Sequence, residues 1–253
     1  IDRQGLQLAH YNTFNALNAA GTLPTTQALA IAAITDCNRR LDEMGAPRDK
    51  QRGFVMGPAL NGAAIQGFAG LFNAQSTISK QFGSGMMVDS LGLAYAMDQN
   101  VDTHTNGAAT ATNINGAGQT GSNITVVAVA AGTLTKGTVI TLPGVFAVNP
   151  QSRTSTGVLA QFVVTADVAV GATSIPISPA IVTSGAFQNV TASPTTGQPY
   201  VIVGSASTSY QTNVAFYKDA FTLAMVPMWA PPGGKGVIDV AQETYKGYTI
   251  KVT

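Results

Sequence analysis

Between Asn123 and Ser207, short apolar runs alternate with glycines and turn dipeptides at nearly regular intervals, and this rhythm leaves few folds open. The runs are Ile124–Val129, Val139–Leu142, Val145–Val148, Val158–Thr165, Ser174–Ile177 and Tyr200–Val203. Gly132, Gly137, Gly144, Asn149-Pro150, Gly157 and Gly171 punctuate them. Each run is too short for a packed helix and is rich in the β-branched residues that fill a pleated, half-buried surface. The spacing predicts a small antiparallel barrel or sandwich over 123–207. Only Lys136, Arg153 and Asp167 carry charge within it.

The helical patterns precede this region. Asp2 to Ala20 reads as a helix with Leu6, His10, Phe14 and Leu17 on one stripe. A second helix, about 24–45, opens at Pro24-Thr25-Thr26 and ends at Gly45 and Pro47. Ala30, Ile34, Cys37, Leu41 and Met44 form its apolar stripe, while Arg39, Arg40, Asp42 and Glu43 fall on or beside its solvated face. A charged loop, Arg48–Arg52, then leads to a short strand, Phe54–Met56. Asn61–Phe82 is helical in pattern, with Ile65, Phe68, Phe72 and Ile78 as apolar points; Gly62, Gly67 and Gly70 imply close packing or a break. Asp102–Asn123, nearly all small and polar, reads as a long ordered loop or a flexible excursion.

After the β-rich region comes Asn213–Met228, where Lys218-Asp219 separates two apolar runs. Its alternation predicts a strand covered on both faces, with Phe221–Met225 central in its sheet, Phe221 and Leu223 buried, and Pro227 as the stop. Lys218 is expected at a domain edge or subunit contact. Pro231–Gly236 reads as a turn, with Val237–Val240 and Tyr245–Val252 as further strands. Because the chain opens at Ile1 and stops in a strand-like run, a processed chain or fragment is expected.

Charged residues make up 10% of the chain, against roughly 25% in ordinary soluble proteins. Apolar residues, at 45%, are ordinary, so charge has been exchanged for Gly, Ser, Thr, Asn and Gln. A subunit whose faces are covered by neighbours tolerates this; so does a neutral, secreted β-rich domain. The net charge of +1 carries no electrostatic footprint for nucleic acid. Ala28–Ile34, the longest apolar run, is too short to span a bilayer, and no signal-peptide pattern opens the chain. Cys37 is the only cysteine, which excludes an internal disulfide.

Motifs for chemistry fail on context. Gly116-Ala-Gly118-Gln-Thr-Gly121 matches a dinucleotide fingerprint, but a polar loop precedes it and a strand follows, so no helix N-terminus is there to hold a pyrophosphate. Gly234-Lys235 lacks the rest of a phosphate loop. Asp98, Asn100 and Asp102 have calcium-loop spacing, but Thr103 and Ala109 stand where the turn glycine and bidentate Glu belong. His10 and His104 have no neighbour at ligand spacing. Lys218-Asp219 reads as an ion pair or a solvated bend before an acid–base pair. Asn123-Ile-Thr125 and Asn189-Val-Thr191 are sequons expected by chance in a Thr-rich chain. No catalytic residue, metal ligand or cofactor site is assigned.

The order of elements resembles the major capsid (coat) proteins of tailed bacteriophages, in particular the short-tailed enterobacterial branch. The resemblance runs through Arg40-Leu41 to Arg52, Gly70-Leu71-Phe72 with Gln75–Ile78 and Gly85, and Gly116–Gly121 with Leu134–Gly137. It continues through Gly144–Pro150, Gln161–Thr165, Ile177–Pro179 and Phe216–Phe221. It covers about Arg40 to Thr253, lacks the arm and hairpin loop upstream of the family's spine helix and its final strand pair, and no one motif in it is diagnostic. It implies an α+β, HK97-like capsid fold: a long spine helix, an apical mixed α/β domain and an inserted small antiparallel β-barrel module. The implied division is 1–58 with the spine helix, 59–122 and 208–236 apical, 123–207 inserted, and 237–253 returning strands. The implied function is structural and non-enzymatic: self-assembly into hexamers and pentamers of an icosahedral shell around double-stranded DNA, in the virion, after assembly in the host cytoplasm. Scaffolding protein and portal are implied partners, a decoration protein a further candidate, and DNA is met without sequence preference. Ile34, Leu41, Phe72, Phe162, Phe221 and Leu223 are expected in cores, and Arg39, Arg40, Lys218 and Asp219 at subunit contacts. The competing reading is a β-rich extracellular adhesin or surface-layer module.

Overall fold

The computed structural model describes residues 2–12, 16, 22–68, 83–87, 89–222, 241–245 and 248–252. In chain order the elements are α1 (Asp2–Asn12), α2 (Gln27–Glu43), β1 (Arg52–Met56), α3 (Pro58–Phe68), β2 (Ala94–Met97), β3 (Thr103–Thr105) and β4 (Gly121–Thr125). There follow β5 (Val139–Val148), β6 (Ser155–Val164), β7 (Ser174–Ile181), β8 (Val201–Ile202), β9 (Ser209–Gln211) and β10 (Val214–Tyr217). A 3-10 turn at Lys218–Ala220 and two strands, β11 (Ala241–Tyr245) and β12 (Tyr248–Val252), complete them. Residues 1–217 form one unit and 218–253 a second.

In the first unit α2 starts where Thr26 Oγ1 accepts the Leu29 N–H at 3.5 Å, so Thr26, the last of the Pro24-Thr25-Thr26 opening, is its cap. It ends in a paired C-terminal motif: Ala46 N–H donates to Leu41 O and Gly45 N–H to Asp42 O, with Gly45 at φ +81°. The helix therefore has 17 residues, shorter than the sequence reading. It packs on α3, and Gly67 is the contact point. A Cβ there would lie 2.7 Å from Ala30 Cβ and 2.9 Å from Pro24 O, so only glycine fits. Of the two readings the glycines left open, Gly67 is close packing.

Both helices cover a three-stranded sheet ordered β10-β1-β2, parallel between β1 and β2 and antiparallel between β1 and β10. Ala30, Ile34, Phe54, Met56, Ala64, Phe68, Met87 and Leu93 form its core. The expectation for Asn213–Met228 is corrected here. The strand covers Val214–Tyr217 only and lies at the edge of the described sheet, with β1 in the centre. Phe221 follows the 3-10 turn and is 40% exposed. The Lys218-Asp219 pair supplies the reason: two ionised groups that stay in water end the pairing. Leu223, Pro227, the Pro231–Gly236 turn and the Val237–Val240 run lie outside the described residues, as do Phe72 and Ile78.

The β-rich region is a five-stranded antiparallel sheet ordered β4-β7-β6-β5-β8. Val139–Leu142 and Val145–Val148 are one strand, not two: Gly144, at φ +77°, sits within β5 where its register against β6 shifts. The outer strands do not pair with each other. Residues 112–115 join the two sides instead, through Ile114 N–H to Gln198 O, Asn115 N–H to Thr125 O and Val127 N–H to Asn113 O. The polar Asp102–Asn123 stretch is thus a built part of the fold that holds β3 and this closing segment. Ile124, Val126, Ile140, Leu142, Val145, Phe162, Ile175 and Tyr200 lie inside. Further corrections concern short strands: β2, β3 and β9 are additions to the sequence reading, and Tyr245–Val252 is not one strand, since Tyr245 ends β11 and pairs antiparallel with Tyr248 at the start of β12. Both β11 and β12 form part of the second unit.

Candidate functional site

Polar side chains on the last turns of α2 and carbonyls of the bend after it converge on Arg52. β1 puts alternate side chains inward, and Arg52, the first of them, is only 1% exposed. A buried guanidinium is tolerable only when its donors are met. Nε donates to Pro47 O at 2.9 Å, Nη1 to Asn38 Oδ1 at 3.1 Å, and Nη2 to Asp42 Oδ1 at 2.7 Å and to Ala46 O. Arg48 pairs with the same Asp42 carboxylate from the solvent side. The Arg48 hydrogen bond, followed by that of Arg52, lowers the Asp42 pKa to about 2 against the opposing effect of burial. One carboxylate and two carbonyls thus weld the end of α2, the 46–48 bend and β1 together. The sequence reading of Arg48–Arg52 as a charged loop is corrected: Arg52 is an interior residue of a strand.

Arg40 is a second correction. It is 9% exposed rather than on a solvated face, bonds Glu43 at 3.2 Å, and its Nε has no hydrogen-bond partner among the described residues. Glu43 O in turn accepts from Asn149 Nδ2 at 2.9 Å. Arg39 does face solvent, in i,i+3 and i,i+4 pairs with Asp36 and Glu43. Lys218 and Asp219 are exposed on the 3-10 turn of the second unit. Ile34 is 3% and Phe162 1% exposed, and Leu41 packs half-buried against the α2–α3 core.

The fold also gathers what the sequence kept apart. His10 on α1, 5% exposed, donates from Nδ1 to Asp102 Oδ2 at 3.0 Å. The His104 ring stands edge-on at 4.8 Å, and its Nε2 lies 3.3 Å from Thr138 Oγ1. Burial, and then the proximity of His10, lower the His104 pKa. Lys136 Nζ sits 4.2 Å above the Tyr11 ring. Neither histidine has a neighbour at ligand spacing in the sequence, yet folding brings His10 to Asp102, 92 residues away in the chain, and to His104. No signal in one sequence could have paired them.

The other motifs are structural. Gln119 braces the glycine-rich turn, donating to Asn115 O, Gly116 O and Thr125 O and accepting from Thr125 N–H. Asp98 accepts from Asn100 N–H while Asp102 is turned to His10. Asn189 spends its side chain on Val182 N–H and Ala180 O. Burial first, then the Asp36 charge, push the Cys37 thiol up to about 11, which leaves it a poor nucleophile. A pocket of about 40 Å³ beside it is lined by Pro24, Ile34, Phe54, Met56, Leu60 and other apolar groups, with room for little more than a water. Among the described residues no group of three or more His, Cys, Asp or Glu could hold a metal ion, and no helix is long and apolar enough to cross a membrane.

Among the described residues the charged groups brace the end of α2 and the histidines pack α1 against β3. The chain matches the family described as P22 coat protein, gene protein 5, over residues 7–253, and it belongs to that family. It is a phage major capsid subunit, a component of the virion shell. None of the curated proteins matches significantly. Among solved structures it is similar to the CUS-3 coat protein I-domain, at 23% identity over 40% of this chain and 98% of that one, with a TM-score of 0.27. A superposition that loose supports no conclusion about this chain.

Proposed function

We propose that this subunit builds an icosahedral shell of hexamers and pentamers around double-stranded DNA, on the Hong Kong 97 plan and without enzymatic activity. The observation that carries this reading is the family match over residues 7–253. α2 serves as the spine helix, the region 59–122 with 208–236 as the apical domain, 123–207 as the inserted module, and 237–253 as returning strands of the domain begun by 1–58. Exposed Arg39, Lys218 and Asp219 meet neighbouring subunits; Arg40, being buried, braces the end of α2 instead. A scaffolding protein and a portal direct closure, a decoration protein is a further candidate partner, and DNA is met without base recognition by a wall of near-neutral charge. Exposed apolar groups, Phe187 at 85% and Val127 and Val170 at 59%, support a surface meant for neighbours. Sedimentation and electron microscopy of the full subunit with scaffolding protein test this: closed particles are expected, and a persistent monomer under all assembly conditions refutes it.

A further inference from the structure

We infer that α1 is an acid-sensitive latch, seated on the β-rich region by the His10–Asp102–His104 cluster and released when both imidazoles are charged.

The seat is built from several elements. α1 brings His10 and Tyr11; Asp102 precedes β3, and His104 lies on it, paired across to Tyr210 of β9. The bend before β5 brings Lys136, whose N–H is fixed by Asp167 Oδ1 at 2.7 Å, together with Gly137 and Thr138. A Cβ at Gly137 would come within 2.7 Å of His10 Nε2, so the helix rests on bare backbone there. Beyond the helix, Ala16 is clasped by both ends of the Gln161 amide: its N–H donates to Oε1 at 2.6 Å and its C=O accepts from Nε2 at 3.2 Å.

The charge count makes this seat proton-sensitive. Asp102 neutralises one imidazolium. A second, with ring centres 4.8 Å apart and the Lys136 ammonium already over Tyr11, places positive charge against positive charge. Burial, then His10, already hold the His104 pKa down in the seated state. The sign follows: the detached state binds the extra proton more readily, so the contribution of His104 to seating is full above its ordinary value of about 6.5 and is lost as pH falls below it.

Amide hydrogen exchange of the full chain, corrected for intrinsic rates, tests the latch at about pH 7.5 and about pH 5.5, values that bracket an ordinary histidine. Opening of residues 6–12 is expected to rise severalfold at the lower pH, with Ile140 and Phe162 amides unchanged. His104→Phe, flat and neutral, should abolish the rise, while Asp102→Asn should loosen α1 at both pH values. Equal protection at both, a uniform loss across the sheet, or an unchanged rise in His104→Phe would overturn the proposal. Should that variant not fold, NMR titration of the wild-type His104 ring decides: a midpoint below the ordinary histidine value supports the latch, and an ordinary midpoint refutes it.

Discussion

Ile140, Leu142, Val145 and Phe162 lie in a core whose buried members are aliphatic or aromatic, whereas Ile34, Phe54 and Met56 share the α2–β1 region with a buried arginine. Both are cores of a few strands, yet they solve different problems. The five-stranded sheet is held by apolar area removed from water, a non-directional force that fills space but does not aim one element at another. The end of α2 must leave at a fixed angle into β1, and directional bonds from Arg52 to Asn38, Asp42, Ala46 and Pro47 set that angle. A wall subunit has use for both: a module that keeps its shape and a joint that keeps its angle.

The contrast can be broken from either side. Phe162→Ala should be the most damaging change, about 3–5 kcal/mol by loss of a packed ring and the cavity left behind, read by denaturant unfolding. Arg52→Ala should come next, at about 3 kcal/mol, because buried acceptors lose their donor; its signature is loosened exchange at 44–48 with the β5 and β6 amides unchanged. Gly67→Ala should cost about 1–3 kcal/mol by forcing α3 away from Ala30 and Pro24. Asp42→Asn should cost about 1 kcal/mol or less, since the carboxylate is 35% exposed and screened. Its pH dependence is the sharper readout. A lowered pKa means that the contribution is present above the ordinary carboxylate value of 3.8 and lost as pH falls toward about 2, and the variant should lack that acid step. Phe187→Ser should leave subunit stability within about 0.5 kcal/mol, its ring being exposed, so any loss of particle yield would report an assembly contact.

Legibility differed between the same two regions. In the β-rich stretch, β5, β6 and β7 were readable because burial on one side imposes alternation and glycines mark the turns, as at Gly137 and Gly171. Gly144 misled because a bulge inside a strand uses the same left-handed glycine that a turn does. Around α2, the apolar stripe as far as Leu41 and the Gly45 stop were readable, whereas Met44 is an exposed cap residue. Arg52 was not readable, because a charged residue after Arg48-Asp49-Lys50 looks solvated until its acceptors are known. Phe221 failed for a related reason, since local alternation cannot say whether another element arrives to cover it.

By itself, then, the sequence determined the local choices: a helix within about 24–45, short strands through the β-rich stretch, no internal disulfide, and an order of elements that resembles the phage coat proteins. Those follow from periodicity, turn chemistry and composition, which act over a few residues. Tertiary structure alone decided that Arg52 is inside, that His10 meets Asp102 and His104, and that residues 112–115 close the sheet. Each of these is a directional contact between residues distant in the chain, and its free energy exists only once folding has removed the water between them.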